Sequence, residues 1–331
     1  MKTIPPPRDD VATARNDVSS VDEARDTLGE LRDNLELVIR GKRETLELLL
    51  CCLAAEGHAL LEDIPGTGKT TLAKALALSM GCVFKRVQFT PDVLPTDIVG
   101  SSVFRPQDGT FHFNPGPIFA NVLVADEINR ASPRTQSALL EAMAEQQVTI
   151  DGATRPLESP FLCIATQNPV EFHGTYPLPE AQLDRFAVRL SMGYVTEEEE
   201  RQILMTQCSR QTLTEIKPVT DAAQILLLQR VVEGVRMEVS VIDYLLRLVK
   251  ATREEVAVRL GVSTRGSLQF ARMARAYAFL RGRDYVLPED LKRLAEPVLA
   301  HRLVLDTRAR YSGTDKRALL ADIVQRVPVP R

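Results

Sequence analysis

Apolar positions recur along this chain with two different periods, and the switches between them outline the architecture. Leu28, Leu31, Leu35 and Val38 follow helical spacing, and Ser20 with Glu23 has the spacing of a capping box. Gly41 breaks that pattern. A second helix is predicted over residues 44–56; it is apolar through residues 48–53, so most of its sides should be buried before Gly57 stops it. Short apolar runs then alternate with helical patterns: 58–61 then 70–80, 122–125 then 134–145, and 161–165 before a polar stretch. Such alternation predicts a mostly parallel sheet flanked by helices, with ligands collecting beyond the carboxyl ends of the strands. After a further capping box, Thr196 with Glu199, the strands are expected to cease, and helical periods fill 222–233, 240–256, 263–280 and 288–299.

Three parts follow from this pattern. Residues 1–19 are polar, open with Pro5-Pro6-Pro7 and read as a flexible tail. Residues 20–194 read as an α/β domain and 195–331 as a smaller helical one. Inside the first, Asp151-Gly152 between two short β-type runs reads as a hairpin turn, and the runs 101–104 and 110–113 flank a second hairpin. Phe111 and Phe113 share a strand face there, which is expected to be core.

Composition changes this picture little. The 331 residues and their 44% hydrophobic content suffice for two cored domains. A formal charge of −3 supplies no field for nucleic acid or an anionic membrane. Cys51, Cys52, Cys82, Cys163 and Cys208 lack the paired spacing of a zinc site and read as reduced thiols. His58, His112, His173 and His301 show no ligand spacing either. With no signal-peptide pattern and no run long enough to span a bilayer, a cytoplasmic protein is expected.

The chemistry concentrates in three places. Asp63-Ile64-Pro65-Gly66-Thr67-Gly68-Lys69-Thr70 lies between an apolar run and a helix start, the context in which backbone N–H groups and a helix end cradle phosphate. Pro65, Gly66, Thr67, Gly68, Lys69, Thr70 and Thr71 are the nucleotide-binding candidates, with Lys69 reaching the β- and γ-phosphates and Thr70 ligating Mg2+. Asp63 stands where the pattern places its first glycine, so its carboxylate must point away from the phosphates. Next, the run 121–125 ends in Asp126-Glu127; Asp126 is the second metal candidate and Glu127 the residue that polarises the attacking water. Finally, the third run ends at Asn168, whose uncharged amide suits the γ-phosphate and the lytic water.

With these elements placed, the chain resembles the AAA+ superfamily. The strings ADEINRA (125–131), TQSALLEAM (135–143) and ATQNP (165–169) are similar to the MoxR family, within the helix-2-insert clade, as is GTYPLPEAQLDRF (174–186). The resemblance implies an AAA+ RecA-like three-layer αβα nucleotide-binding domain with a smaller all-helical lid, and an ATPase using ATP/ADP and Mg2+. It implies that Arg185 completes a neighbouring subunit's site, that Arg265 is a lid sensor, and that Ile39 and Gly41 contact adenine. As partners it implies a homo-oligomeric ring, a hexamer, and a protein client carrying a von Willebrand factor A domain. Membrane insertion and nucleic acid are not expected. Two other classes stay open at this point: a nucleic-acid motor of the same clade, and a nucleotide-gated scaffold with little turnover.

Overall fold

The computed structural model describes residues 18–63, 66–107, 109–168, 175–207, 213 and 216–330. Two helices, α1 (Val18–Glu36) and α2 (Arg43–Ala54), precede the first strand, β1 (Ala59–Glu62). There follow α3 (Lys69–Ser79), β2 (Phe84–Gln88), α4 (Pro95–Val99) and a hairpin of β3 (Gly100–Arg105) with β4 (Thr110–Pro115). Next come β5 (Val122–Asp126), α5 (Pro133–Glu145) and a second hairpin, β6 (Gln147–Ile150) with β7 (Ala153–Pro156). The α/β part closes with β8 (Leu162–Gln167), α6 (Glu180–Leu183) and β9 (Val188–Leu190). The remainder holds α7 (Glu197–Gln207), α8 (Ala222–Glu233), α9 (Val239–Glu254), β10 (Val258–Leu260), α10 (Thr264–Leu280) and α11 (Pro288–Leu299), then β11 (Val304–Leu305), α12 (Thr307–Tyr311) and α13 (Lys316–Arg326).

The central sheet is parallel, in the order β2-β5-β8-β1-β9. Its pleat sorts side chains between two apolar cores. Ala59, Leu61, Val122, Val124, Leu162 and Ile164 join the core on the α3 side, whereas Leu60, Leu123, Ala125, Cys163 and Ala165 join the core beneath α5. Strands buried on both faces must be apolar throughout, which is why three of the five were legible as short apolar runs. The result is the expected three-layer αβα sandwich. On the α3 side the core continues without a break through α1 and α2 into the lid helices α8 and α10.

Three expectations need correction, and one stretch carried none. The first helix is already formed at Val18, so Ser20 lies within it and does not cap it. Strands do not cease after Thr196: Val258 and Leu260 pair antiparallel with Leu305 and Val304, adding a short ribbon to the otherwise helical lid. Beyond residue 299 the lid continues through α12 and α13, for which the apolar pattern offered no prediction. Phe111 is 72% exposed and meets the exposed Phe104 across the hairpin, the rings tilted by 56°. Only Phe113, under the Arg155 guanidinium and against Phe119, is half-buried. The hairpin projects beyond both cores, so a shared strand face there does not amount to burial.

Other local predictions hold. Thr196 and Glu199 exchange their capping bonds, Glu199 N to Thr196 Oγ1 at 3.3 Å and Thr196 N to Glu199 Oε2 at 2.8 Å. Asp151 and Gly152 both take positive φ, 51° and 76°, as a two-residue hairpin turn demands. Cys51, Cys52 and Cys163 are buried thiols whose pKa burial raises, whereas Cys208, His173 and the tail up to residue 17 lie outside the described residues.

His58 is buried in its neutral form. Nε2 faces the Met143 carbonyl at 3.1 Å and so carries the proton, while Nδ1 accepts from the Cys163 amide at 3.2 Å. Burial lowers its pKa to about 4, the Met143 bond offsetting part of that. Below the unfolded value near 6.5 the unfolded chain takes up a proton that the folded chain refuses. Stability is therefore undiminished above about pH 6.5, falls on acidification, and has lost about 3 kcal/mol from this residue by pH 4. Urea unfolding of the parent and His58→Gln at pH 7 and pH 5 should show a smaller pH-dependent loss in the variant; equal losses would remove His58 as the cause.

Candidate functional site

The carboxyl ends of β1, β5 and β8 carry the site, because the loops leaving them cannot continue the sheet and turn outward together. After β1, Gly66 and Gly68 adopt φ of 84° and 85°, the left-handed region that costs a side-chain-bearing residue but not glycine. Gly68 immediately precedes α3, so the amino end of that helix opens beyond the loop. Gly66, Thr67, Gly68, Lys69, Thr70 and Thr71 line a cleft of about 410 Å³ together with Asp126, Glu127 and Asn168. Pro65, the remaining loop candidate, lies outside the described residues.

Asp63 does point away. Its buried carboxylate Oδ2 accepts from the backbone N–H of Met192 at 2.6 Å and of Gly193 at 2.8 Å, just past β9. One acid thus ties the root of the phosphate loop to the segment leading into the lid. Lys69 Nζ donates to the Asp63 carbonyl at 3.2 Å. Burial lowers the pKa of the Lys69 ammonium, and the carboxylates of Asp63, Asp126 and Glu127 pull it back up.

The two acids separate at the strand end. Asp126 keeps the strand's pleat and faces the α3 side, whereas Glu127 takes φ 57° and turns out. Asp126 Oδ1 accepts from Thr166 Oγ1 at 2.6 Å, and that hydroxyl accepts from the Glu127 N–H at 2.9 Å. Asp126 Oδ2 accepts from Arg86 Nε at 3.1 Å and Nη2 at 2.6 Å. Glu127 Oε2 accepts from Arg130 Nη1 at 3.0 Å. Sequence reading singled out neither arginine. Arg130 was visible three residues after Glu127, at ion-pair spacing; Arg86 needed β2 to be recognised, where a period of two puts it on one face with Gln88.

A divalent ion fits this cleft in one manner. Among the described residues no group of three or more His, Cys, Asp and Glu side chains could hold a metal by itself. Thr70 and Asp126 would be its protein contacts, with water and phosphate oxygens completing the shell, a habit of magnesium and not of zinc or calcium in protein cages.

Other candidates stand outside the cleft. Ile39 is 7% exposed and packs into the core, and a β-carbon on Gly41 would fall on the Glu199 carboxylate. Arg185 precedes β9, which runs parallel to β1 with Val188 opposite Ala59. It therefore lies at the amino end of the sheet, roughly 10–15 Å of strand away from its own phosphate loop. The local ion pairs that would make Arg185 a scaffold residue are made by others: Asp184 binds Arg302 and Ser263, and Glu180 binds Arg259. The Arg185 Nη1 donates to the Leu140 carbonyl of a different element, α5. Arg265 is exposed two residues past Ser263, so it shares that corner with Arg185.

Much of the string that follows the acids is bracing. Gln136 is buried and its Nε2 spans the carbonyls of Ile128, Ala131 and Tyr176 at 3.1, 3.2 and 3.0 Å. Ser132 caps α5, and Thr135 Oγ1 reaches the Val93 carbonyl at 2.8 Å. These bonds fix the turn from which Glu127 and Arg130 project.

Replacing Asp63 by Ala leaves two backbone N–H groups without this acceptor and should cost about 2–4 kcal/mol, with Asn, which keeps one acceptor oxygen, costing less. Chemical denaturation measures both; a loss below about 0.5 kcal/mol for Ala would show that the tie carries no weight.

Comparison with known proteins identifies the fold and the family. Residues 58–188 match the model of the ATPase family associated with various cellular activities (AAA), and residues 250–323 match the AAA lid domain. The uncharacterised protein YeaC of Bacillus subtilis strain 168 is 48% identical, over 92% of this chain and 95% of its own. Chaperone MoxR1 of Mycobacterium tuberculosis is 41% identical, over 89% of this chain and 80% of its own. The crystal structure of a candidate ATPase from Cytophaga hutchinsonii superposes with a TM-score of 0.89 at 37% identity, covering 95% of this chain and 98% of that one. Fold, cleft and relatives agree: the chain belongs to the MoxR family of AAA+ ATPases.

Proposed function

We propose that the cleft binds ATP with magnesium and hydrolyses it, and that the cycle remodels a protein partner from within a homo-oligomeric ring. One observation carries the reading: a glycine-bearing loop, an acidic pair and Asn168, distant in sequence, line a single cleft at the carboxyl end of a parallel sheet. The loop N–H groups and the Lys69 ammonium bind the polyphosphate. Bound magnesium supplies charge neutralisation on the phosphate oxygens, held by Thr70 and by Asp126. Glu127 orients the attacking water, for which its carboxylate must turn from Arg130. Asn168 holds the same water from the neighbouring strand. Asp63 aims its carboxylate at the Met192 and Gly193 N–H groups and away from the phosphate loop, which favours a hydrolysing site over a non-hydrolysing scaffold.

Arg185 and Arg265 act on the neighbouring subunit in this proposal. Their shared corner at the amino end of the sheet cannot reach their own chain's cleft, and a cation supplied in trans suits the charge that develops on the transferring phosphoryl group. A ring, expected to be hexameric, brings that corner to the next cleft. A relative named as a chaperone supports a protein client. The family resemblance supplies its class, a protein with a von Willebrand factor A domain. No helix among the described residues is long and apolar enough to cross a membrane.

Lys69→Ala should abolish nucleotide binding, and Glu127→Gln should keep binding while turnover drops by about 10²–10⁴. Calorimetry and phosphate release measure the two, and normal turnover in both variants would reject these roles. Mixing tests the trans arginine. Arg185→Ala and Lys69→Ala should each be inactive alone, but mixed rings regain activity because the Lys69→Ala subunit lends Arg185 to an intact cleft. Mixed rings with no regain would exclude action of Arg185 on a neighbouring cleft.

A further inference from the structure

Arg86 occupies the acid that a magnesium ion would need. Arg86 pairs in register with Val124 and Gln88 with Asp126, so on the α3 face of the sheet Arg86 and Gln88 flank Asp126. Gln88 Oε1 accepts from Arg86 Nη2 at 2.8 Å and docks the guanidinium. Arg86 Nε and Nη2 then both reach Asp126 Oδ2, at 3.1 and 2.6 Å, which fills that oxygen's two acceptor directions. Oδ1 is engaged by Thr166. The pair is asymmetric: the Asp126 side chain is 13% exposed and needs a cation, while Arg86 is 46% exposed and can swing into water. The guanidinium lines the same cleft as the phosphate loop.

We propose that Arg86 is the resident counter-ion of Asp126, and that magnesium with its nucleotide gains the Oδ2 of Asp126 only by displacing the guanidinium. The inference rests on the cleft being a nucleotide site. Arg86 is then a positioning residue that sets how much magnesium the site requires. It keeps the acid neutralised and aimed when the metal is away, and it raises the metal concentration at which the acid is handed over. Once displaced, the guanidinium remains in the cleft as a cation for the polyphosphate. Removing it should therefore ease magnesium loading while weakening nucleotide binding without metal, two effects of opposite sign that mere loosening of an edge strand would not produce.

The full chain, its Arg86→Gln and its Arg86→Lys variants are titrated with N-methylanthraniloyl-ADP, followed by fluorescence, in EDTA and across a magnesium series. Thermal melting checks that each is folded. For Arg86→Gln the half-saturating magnesium should fall roughly tenfold, the size expected when one charged competitor's bonds are lost. Its affinity for the probe in EDTA should fall. Lysine keeps the charge but not the fork, so Arg86→Lys should lie between the two. An unchanged or higher magnesium requirement in folded variants that bind the probe would overturn the proposal and leave the nucleotide reading intact. Failure of the parent chain to bind the probe under either condition would remove the nucleotide reading and this inference with it.

Discussion

Asp126 ends a strand buried on both faces, and its carboxylate is itself largely shielded from water. A carboxylate in that position is tolerated only with cations and donors around it. Much of the site is arranged to that end. Thr166 donates to one oxygen and Arg86 to the other, Lys69 lies within reach of the same field, and Arg130 balances the adjoining Glu127. The phosphate loop then brings N–H groups and a helix start to the open side of this charge cluster. In the proposed function a polyphosphate and its magnesium would enter as further charges in a lattice that is already balanced, and binding would be an exchange of partners.

The sheet also ties the cleft to the lid. Asp63 joins the root of the phosphate loop to the N–H groups past β9, which lead into the lid. At the other end of the sheet Arg302, almost wholly buried, binds Asp184 and the carbonyls of Asp184 and Phe186. The lid is thus anchored to β9 from both sides. A change at the loop has short routes to the lid helices and to the corner holding Arg185 and Arg265.

Legibility varied with burial and reach. β1, β5 and β8 announce themselves because a central strand between two cores is apolar at every position. β2 and β9 lie at the sheet edges, and in Phe84-Lys-Arg-Val-Gln88 polar residues interrupt the run, so the strand and with it Arg86 escaped notice. The lid helices from residue 222 to 299 were legible nearly to the residue because amphipathic periods with end signals depend on local geometry alone. β10 and β11 are three and two residues long, too short to carry a period, and they pair across more than forty residues of chain. Phe111 misled for a related reason. Period alone says that two rings share a face, and only tertiary placement says whether anything packs on it.

By itself, then, the sequence determined the local pattern: which loop carries the glycines and lysine of a phosphate cradle, which strands end in acid or amide, where most helices start and stop, and the family whose long strings it shares. Each of these depends on a few neighbouring residues. Tertiary structure alone decided which distant groups meet. It turned the Asp63 carboxylate toward Met192 and Gly193, placed Arg86 on Asp126 through the pairing of β2 with β5, and set Arg185 at the amino end of the sheet. Those outcomes depend on strand order and register, which arise from packing across the whole chain, and no short stretch of residues encodes them.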